Sequence, residues 1–161
     1  YMDKKAANAI AKWVKKGGVL LLFTNDSSNC ELEKFNLLSS KFGITYNKDF
    51  NHPEMRGADK KIRNFQSCAS VNLPNHPIFK DVSKIFIKEI SSIQCSKQAK
   101  PILTEQGKVY MAEANYGKGY VFAIGDPWLY NEYIDHNMLP ASFENLKAAN
   151  NLIEFLLSKT R

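Results

Sequence analysis

The residues best suited to chemistry in this sequence lie in one short segment, Gly125 to Tyr133. An apolar run at 120–124 predicts a strand, and Pro127 ends it because proline has a fixed φ and no N–H to donate. Acid, indole, phenol and amide side chains are concentrated here: Asp126, Trp128, Tyr130, Asn131, Glu132 and Tyr133. Polar groups interleaved with flat aromatic rings suit recognition of a hydroxylated or planar ligand. The alternative, which the sequence leaves open, is a buried aromatic plug whose acids cap the next helix.

A second polar cluster follows the apolar run at 19–23. Ligands of open α/β sheets gather at the carboxyl ends of strands, so we predict that Asn25, Asp26 and Glu31 face a binding site. The alternative is purely structural, with Asp26 completing an Asx turn and Ser28 or Asn29 capping a helix. Capping is favoured for Ser28 and Asn29, whereas both hypotheses stay open for Asn25 and Asp26. If the two strands are parallel neighbours, the two clusters also lie side by side.

The acids could act together in more than one way. Asp126 and Glu132, with Asp26 and Glu31, could form an acid–base pair or coordinate Ca²⁺ through oxygen atoms. The sequence does not give the carboxylate separation on which either role depends. Hydrogen bonding within the loops is the simpler role for each acid, so we assign no catalytic residue and no metal ligand.

Histidine and cysteine usage gives little sign of a metal centre or a nucleophile. No two of the three histidines have the i, i+4 spacing that would favour zinc, and we predict no cofactor. The three cysteines contain no C-x-x-C pair. Cys30 follows a predicted strand, but the sequence around it is not a nucleophile elbow, so a structural thiol is favoured.

The predicted elements alternate between helix and strand. Apolar residues at helical spacing predict a helix over 3–16, with Asp3 as N-cap and Gly17-Gly18 at its end. A buried strand at 19–23, a helix at 30–42 and a strand at 44–46 follow, which is the pattern of an α/β layer fold. Two β-rich runs around residues 115–119 predict a hairpin, and a final helix is predicted from Ser142 to 157.

Composition limits the class of protein. With 161 residues and 44% hydrophobic residues, the chain is predicted to form a single domain over 1–161. The net charge of +6 comes from scattered lysines without a nucleic-acid motif, so nucleic acid is not expected as a partner. No apolar run approaches the ~20 residues that a membrane span needs. The sequence opens with Tyr1 inside a helical pattern, which suggests the C-terminal part of a larger protein.

Three segments together resemble a known module. They are F-T-N-D-S-S-N-C-E with F-N-L-L and F-G-I (23–44), H-P-I-F (76–79), and Y-G-K-G-Y-V-F-A-I-G-D-P-W-L-Y-N-E-Y with L-P and F-E-N (116–145). The chain is similar to the glutamine-amidotransferase-like domain appended to bacterial family 105 unsaturated rhamnogalacturonyl hydrolases. The resemblance implies a flavodoxin-like three-layer α/β sandwich with a mostly parallel sheet, a β-hairpin and missing N-terminal strands. It also implies a role in pectin breakdown in the periplasm or outside the cell.

The amidotransferase nucleophile elbow has no match here, so glutamine hydrolysis is not expected. The leading hypothesis is a non-catalytic accessory domain of a pectin-degrading glycoside hydrolase, which binds carbohydrate or packs on the catalytic domain. The alternatives are a stand-alone hydrolase that uses Asp126 and Glu132 on a glycan or sugar ester, and an inert structural or oligomerisation domain.

Overall fold

A computed structural model describes residues 2–53, 56–58, 64–127 and 133–160. The α-helices of these residues are α1 (Lys4–Lys15), α2 (Leu32–Ser39) and α3 (Asn145–Leu157). The strands are β1 (Val19–Phe23), β2 (Ile44–Tyr46), β3 (Ala69–Ser70), β4 (Ile85–Phe86), β5 (Ile93–Cys95), β6 (Ala99–Glu105), β7 (Lys108–Tyr116) and β8 (Gly119–Ile124). Short 3-10 helices occupy Ser40–Phe42, Phe65–Cys68 and Pro77–Phe79.

Helix α1 forms as its sequence predicts. The Asp3 carboxylate accepts a hydrogen bond of 2.7 Å from the N–H of Ala6, which satisfies one of the donors exposed at a helix start. Ala7, Ala11 and Val14 form the buried face, and Gly17 follows the helix with φ +124°. The prediction of a helix over 3–16 is therefore confirmed.

The other two helices begin later than predicted, because other hydrogen bonds occupy their first residues. The N–H groups of Asn29 and Cys30 bond to the carbonyl of Asp26, so α2 begins at Leu32. Helix α3 begins at Asn145, whose side-chain amide bonds both the N–H and the carbonyl of Phe86 at 2.8 Å. Ser142, where the sequence predicted the start of this helix, therefore lies before α3.

The main sheet has six strands and is mixed. Its order is β1-β8-β7-β5-β2, and β6 also pairs with β7. Only β1 and β8 are parallel among the described strands, with Val19 beside Tyr120 and Phe23 beside Ile124. The other four pairings, β7–β8, β6–β7, β5–β7 and β2–β5, are antiparallel, and the sheet curls into a half-barrel. Strands β3 and β4 form a separate antiparallel pair.

The expected flavodoxin-like three-layer sandwich with a mostly parallel sheet is wrong. Parallel neighbours need a crossover of a dozen or more residues, whereas β6, β7 and β8 are joined by tight turns that force antiparallel pairing. Strand β2 does not lie beside β1 but pairs antiparallel with β5 at the far end of the sheet. The predicted β-hairpin is confirmed, with β7 and β8 on either side of the turn at Gly117-Lys118.

Hydrophobic clusters cover both faces of the sheet. One cluster contains α3 with Tyr110, Met111, Phe122 and Ile124, and the other contains α1 and α2 with Ala112, Val121 and Ala123. A third cluster joins Cys68 and Phe86 to Tyr133, Leu139 and Phe143. None of the described helices has the combination of length and apolar character that crossing a bilayer requires.

Candidate functional site

The two polar clusters predicted from the sequence lie at the same edge of the sheet. Strands β1 and β8 are parallel neighbours, and the N–H of Thr24 bonds to the carbonyl of Ile124 at 3.3 Å. The chain therefore leaves both strands side by side, into Asn25-Asp26 on one side and Gly125-Asp126 on the other. This strand-end edge is the candidate site.

A third segment, 88–91, fastens the two strand ends together. The N–H of Asp26 bonds to the carbonyl of Glu89 at 3.2 Å, and Ser91 donates its hydroxyl to the carbonyl of Asn25 at 2.8 Å. On the other strand end, the N–H of Ser91 bonds to the carbonyl of Gly125 at 3.1 Å. Segment 88–91 is distant in sequence from both strand ends, so its role as a clamp was missed.

The clamp requires a glycine at 125. A Cβ atom added there would collide with the carbonyl oxygen of Ser91, so any larger residue pushes the clamp away from β8. Glu89 also adopts a left-handed backbone with φ +51°. A non-glycine residue with positive φ and a glycine in close contact are features that only the folded backbone reveals.

Asp26 is fully buried and anchors the first loop. Its Oδ1 accepts from the N–H of Ser28 at 2.7 Å, and its Oδ2 accepts from the side-chain amide of Asn29 at 2.6 Å. Its backbone carbonyl accepts from the N–H groups of Asn29 and Cys30. The carboxylate thus completes the Asx turn that the sequence offered as one alternative, and it does not face solvent.

Asp126 is equally buried and anchors the second loop. Its Oδ2 accepts a hydrogen bond of 2.9 Å from the N–H of Lys88, at the start of the clamp. The Lys88 ammonium in turn lies 3.1 Å from a carboxylate oxygen of Glu89. The partner proposed for Asp126 in an acid–base pair, Glu132, lies outside the described residues.

Tyr133 lies in a hydrophobic cluster. Its exposed fraction is 3%, and its ring packs 5.1 Å from that of Phe86, beside Phe143. For this residue the structure matches the hypothesis of a buried aromatic plug. The remaining predicted site residues of the segment, Trp128, Tyr130 and Asn131, lie outside the described residues.

A shallow depression of about 680 Å³ opens beside the first loop. Its lining runs from Ser27 to Lys34 and includes Lys48, which approaches from the chain after β2. The predicted residue Glu31 is exposed on its wall and pairs with Lys34 at 2.5 Å. Glu33 pairs with Lys48 at 2.5 Å, so the two acids and two lysines balance one another. Lys48 was missed because it is distant in sequence from the loop.

The environment of Cys30 does not favour a thiolate. Burial raises the pKa of the Cys30 thiol, and the negative charges of Asp26 and Glu31 add to the rise. A nucleophilic cysteine needs the opposite shift, which a cation or a paired base supplies. Burial also raises the pKa of the Cys95 thiol. Within the described ranges, no three His, Cys, Asp or Glu side chains come together in a way that could hold a metal ion.

Comparison with known proteins identifies the fold. No family model and no curated protein sequence matches the chain. The chain superimposes on the mmIFT52 N-terminal domain with TM-score 0.73 and 16% identity, over 99% of this chain and 72% of that one. It also matches cytoplasmic proteins STM1381 from Salmonella typhimurium LT2 (TM-score 0.66, 16% identity) and STM3548 from Salmonella typhimurium (TM-score 0.60, 18% identity). The match to STM1381 covers 97% of this chain and 61% of that one. The match to STM3548 covers 93% of this chain and 59% of that one.

These matches correct the family resemblance inferred from the sequence. The structures that share this mixed sheet are not glutamine-amidotransferase-like domains, so that assignment is wrong. The expected link to glycoside hydrolases rested on that resemblance and has no other basis. A matched β-galactosidase chain does not restore the link, because only 20% of that chain is covered, at 13% identity. At these identities the matches show the fold alone.

Proposed function

We propose that this chain is a non-catalytic accessory domain that binds a neutral, hydroxyl-rich ligand, of which an oligosaccharide is the natural class. The binding surface is the depression lined by Ser27 to Lys34 and Lys48. The observation that carries the proposal is the state of the two strand-end carboxylates, Asp26 and Asp126. Both are fully buried and accept hydrogen bonds from backbone N–H groups.

Buried and anchored carboxylates are suited to holding loops rather than to transferring protons. A general acid or base must come within hydrogen-bond reach of the substrate. Asp26 has one oxygen bonded to the N–H of Ser28 and the other to the amide of Asn29. Two loops fixed in this way, and tied to each other by the clamp at 88–91, form a rigid support for a binding surface.

The chemistry of the depression favours a neutral ligand over an anion. Its charged residues are Glu31 with Lys34 and Glu33 with Lys48, and each pair lies within 2.5 Å. The formal charges of these four residues sum to zero, so the lining has no excess of positive charge to attract a uronate or a phosphate. The hydroxyls of Ser27 and Ser28 face solvent and bond to no other side chain or backbone group among the described residues. Hydroxyl and amide groups of this kind are the usual partners of sugar hydroxyls.

Binding of a panel of neutral and acidic oligosaccharides, measured by titration calorimetry, tests this proposal. A Ser27→Ala/Ser28→Ala double variant removes two solvent-facing hydroxyls and leaves the backbone bond from Ser28 to Asp26 in place. At about 1 kcal/mol for each lost hydrogen bond, we expect affinity to fall roughly 5- to 30-fold. Ser142→Ala, at an exposed position outside the depression, is the matched control and should bind as the wild type does.

Two results would contradict the proposal. One is a panel in which no oligosaccharide binds the wild-type chain. The other is turnover of a glycan or sugar ester that Asp126→Asn abolishes in a folded protein, which would support the alternative hydrolase hypothesis instead.

A further inference from the structure

A second depression, of about 780 Å³, lies at the opposite end of β1 and β8 from the candidate site. It opens where these two parallel strands begin. Three elements line it: the end of α1, the turn between β7 and β8, and the residues that follow α3. Each contributes one lysine to the lining, and the three are Lys16, Lys118 and Lys159. We call this surface the basic depression, because the fold gathers there lysines that are scattered in the sequence.

The positive charges of the basic depression are not balanced by acids. Its described lining residues include no Asp or Glu. Within the part of the chain that the structure describes, its three ammonium groups form no ion pair and no hydrogen bond. Glu113 is close to Tyr120 in the lining, but its carboxylate already accepts from the Tyr120 hydroxyl at 2.6 Å. The basic depression therefore differs from the charge-balanced depression beside the first loop.

The ends of α1 and α3 do not need these lysines as caps. Lysines near a helix end often bond to its last carbonyls. Here the carbonyl of Trp13 accepts from the N–H groups of Lys16 and Gly18. The carbonyl of Lys15 accepts from the N–H of Lys118 at 3.0 Å. In α3, hydroxyls of the residues after the helix bond to its last carbonyls. Since these groups satisfy the helix ends, the ammonium groups are available to a ligand.

The basic depression is held in shape before any ligand arrives. A Cβ atom added to Gly119 would collide with the carbonyl oxygen of Val14, so the turn that carries Lys118 packs directly on α1. The ammonium of Lys159 lies 4.4 Å from the centroid of the Phe155 ring, a contact that favours one position for this charge. A binding surface whose parts are already fixed loses less entropy when a ligand binds.

The chemistry of this lining favours clustered phosphate groups. Ammonium groups attract anionic oxygens and donate strong hydrogen bonds to them, and the exposed Asn115 amide adds further donors. The depression is much larger than one phosphate group, so one such group does not reach all three lysines. We propose that the basic depression binds a small molecule or head group that carries two or more phosphate groups. This site goes beyond the proposed oligosaccharide site and does not depend on it.

Titration calorimetry of the full chain with tripolyphosphate tests the proposal. We expect saturable binding that weakens as salt is added, because the contacts are ionic. Lys118→Gln removes one ammonium group and keeps the N–H that bonds to Lys15, so affinity should fall about tenfold. Lys16→Gln should have a similar effect. Lys118→Arg retains the charge and should retain the binding.

Lys5→Gln is the matched control. Lys5 is exposed on α1 and lies about 16 Å from Lys16 along the helix, at 1.5 Å per residue. This variant removes the same charge from the chain at a distance where salt screens it, so affinity should change by less than about twofold. Thermal unfolding of every variant shows whether the fold is retained.

Two further ligands distinguish the sources of clustered phosphates. ATP represents a soluble ligand, and phosphatidylcholine vesicles with and without phosphatidylinositol bisphosphate represent a lipid head group. Binding of ATP without retention on vesicles assigns the site to a soluble ligand. Retention only on the bisphosphate vesicles, lost in Lys118→Gln, assigns it to a lipid head group.

Three outcomes would overturn the proposal. The first is the absence of saturable binding of tripolyphosphate to the wild-type chain. The second is an equal loss of affinity in Lys118→Gln and Lys5→Gln, which would reflect net charge alone. The third is tighter binding of a DNA duplex than of tripolyphosphate through the same lysines, which would assign the surface to nucleic acid.

Discussion

At the scale of single residues, Asp26 decides the geometry of the candidate site. It is fully buried, and its two carboxylate oxygens satisfy the N–H of Ser28 and the amide of Asn29. A carboxylate in such a position stabilises the fold through the groups that it satisfies, because an unpaired buried donor costs more than a hydrogen bond contributes.

Replacing Asp26 with alanine is expected to lower the free energy of unfolding by about 2 to 4 kcal/mol, because the loop loses two hydrogen bonds to a carboxylate that is itself buried. Urea denaturation followed by circular dichroism measures the change. Asp135→Ala is a matched control, since that carboxylate makes the same pair of bonds, to the N–H and the amide of Asn137, at a position open to water. The control should cost less than about 1 kcal/mol. Equal losses in both variants would show that burial does not strengthen the role of Asp26.

At the scale of secondary-structure elements, short polar segments hold together strands that are distant in sequence. The clamp at 88–91 fastens β1 to β8 through Asn25 and Gly125. On the other side of β8, the Tyr120 hydroxyl donates to Glu113 of β7 at 2.6 Å, and His76 approaches the same carboxylate at 3.8 Å. Each connection makes the position of one element depend on another.

Gly125→Ala should destabilise the protein by about 2 to 3 kcal/mol, because the new methyl group collides with the carbonyl of Ser91 and displaces the clamp. Gly107→Ala is the comparison. Gly107 has φ +77° but no atom within 4 Å of an added Cβ, so only backbone strain of about 1 kcal/mol is expected there. Thermal and urea unfolding of the two variants separate steric collision from strain. A smaller loss for Gly125→Ala than for Gly107→Ala would contradict the clamp.

The connection through Glu113 predicts sensitivity to acid. The His76 imidazole, 3.8 Å from the Glu113 carboxylate, lowers the pKa of Glu113 below its ordinary value of 4.5, and the hydrogen bond from the Tyr120 hydroxyl lowers this pKa further, against the effect of burial. A carboxyl group with a depressed pKa in the folded state contributes stability that is present above its ordinary pKa and is lost as pH falls through the folded value.

We therefore expect Glu113→Gln to lose less stability than the wild type between pH 6 and about pH 3. The urea midpoint at each pH measures the difference, and Glu154→Gln, at an exposed position of α3, is the control. If the urea midpoints of the wild type and Glu113→Gln fall in parallel as the pH is lowered, Glu113 is not the source of the acid sensitivity.

At the scale of the whole molecule, one curled sheet carries both main hydrophobic clusters. Met111 and Phe122 face the cluster of α3, whereas Ala112 and Val121, their neighbours in sequence, face the cluster of α1 and α2. Neither cluster can persist when β7 and β8 separate. The single domain predicted over 1–161 should therefore unfold as one cooperative unit.

Tryptophan fluorescence and far-ultraviolet circular dichroism should give the same urea midpoint for the full chain, because both report the loss of the shared sheet. Two separated transitions would show that the clusters unfold independently and that the chain contains two units.

Local features of this fold were predictable, whereas its strand pairing was not. The N-cap at Asp3, the turn after α1 and the hairpin of β7 and β8 depend on neighbouring residues and were recognised from sequence. The pairing of β2 with β5, instead of a place beside β1, depends on contacts between distant segments that periodicity does not encode. For the same reason, Asp26 was recognised as a candidate but the clamp beneath it, built from Ser91 and Glu89, was not.

The long separation between β1 and β8 has a consequence for biosynthesis. Val19 pairs with Tyr120, so about a hundred residues must be translated after β1 before its partner exists. At roughly 5 to 20 residues per second, V-L-L-L-F stays without that partner for roughly 5 to 20 seconds. During that time the nascent chain exposes an aggregation-prone segment, and the yield of soluble protein should depend on the chaperones that shield it at the ribosome.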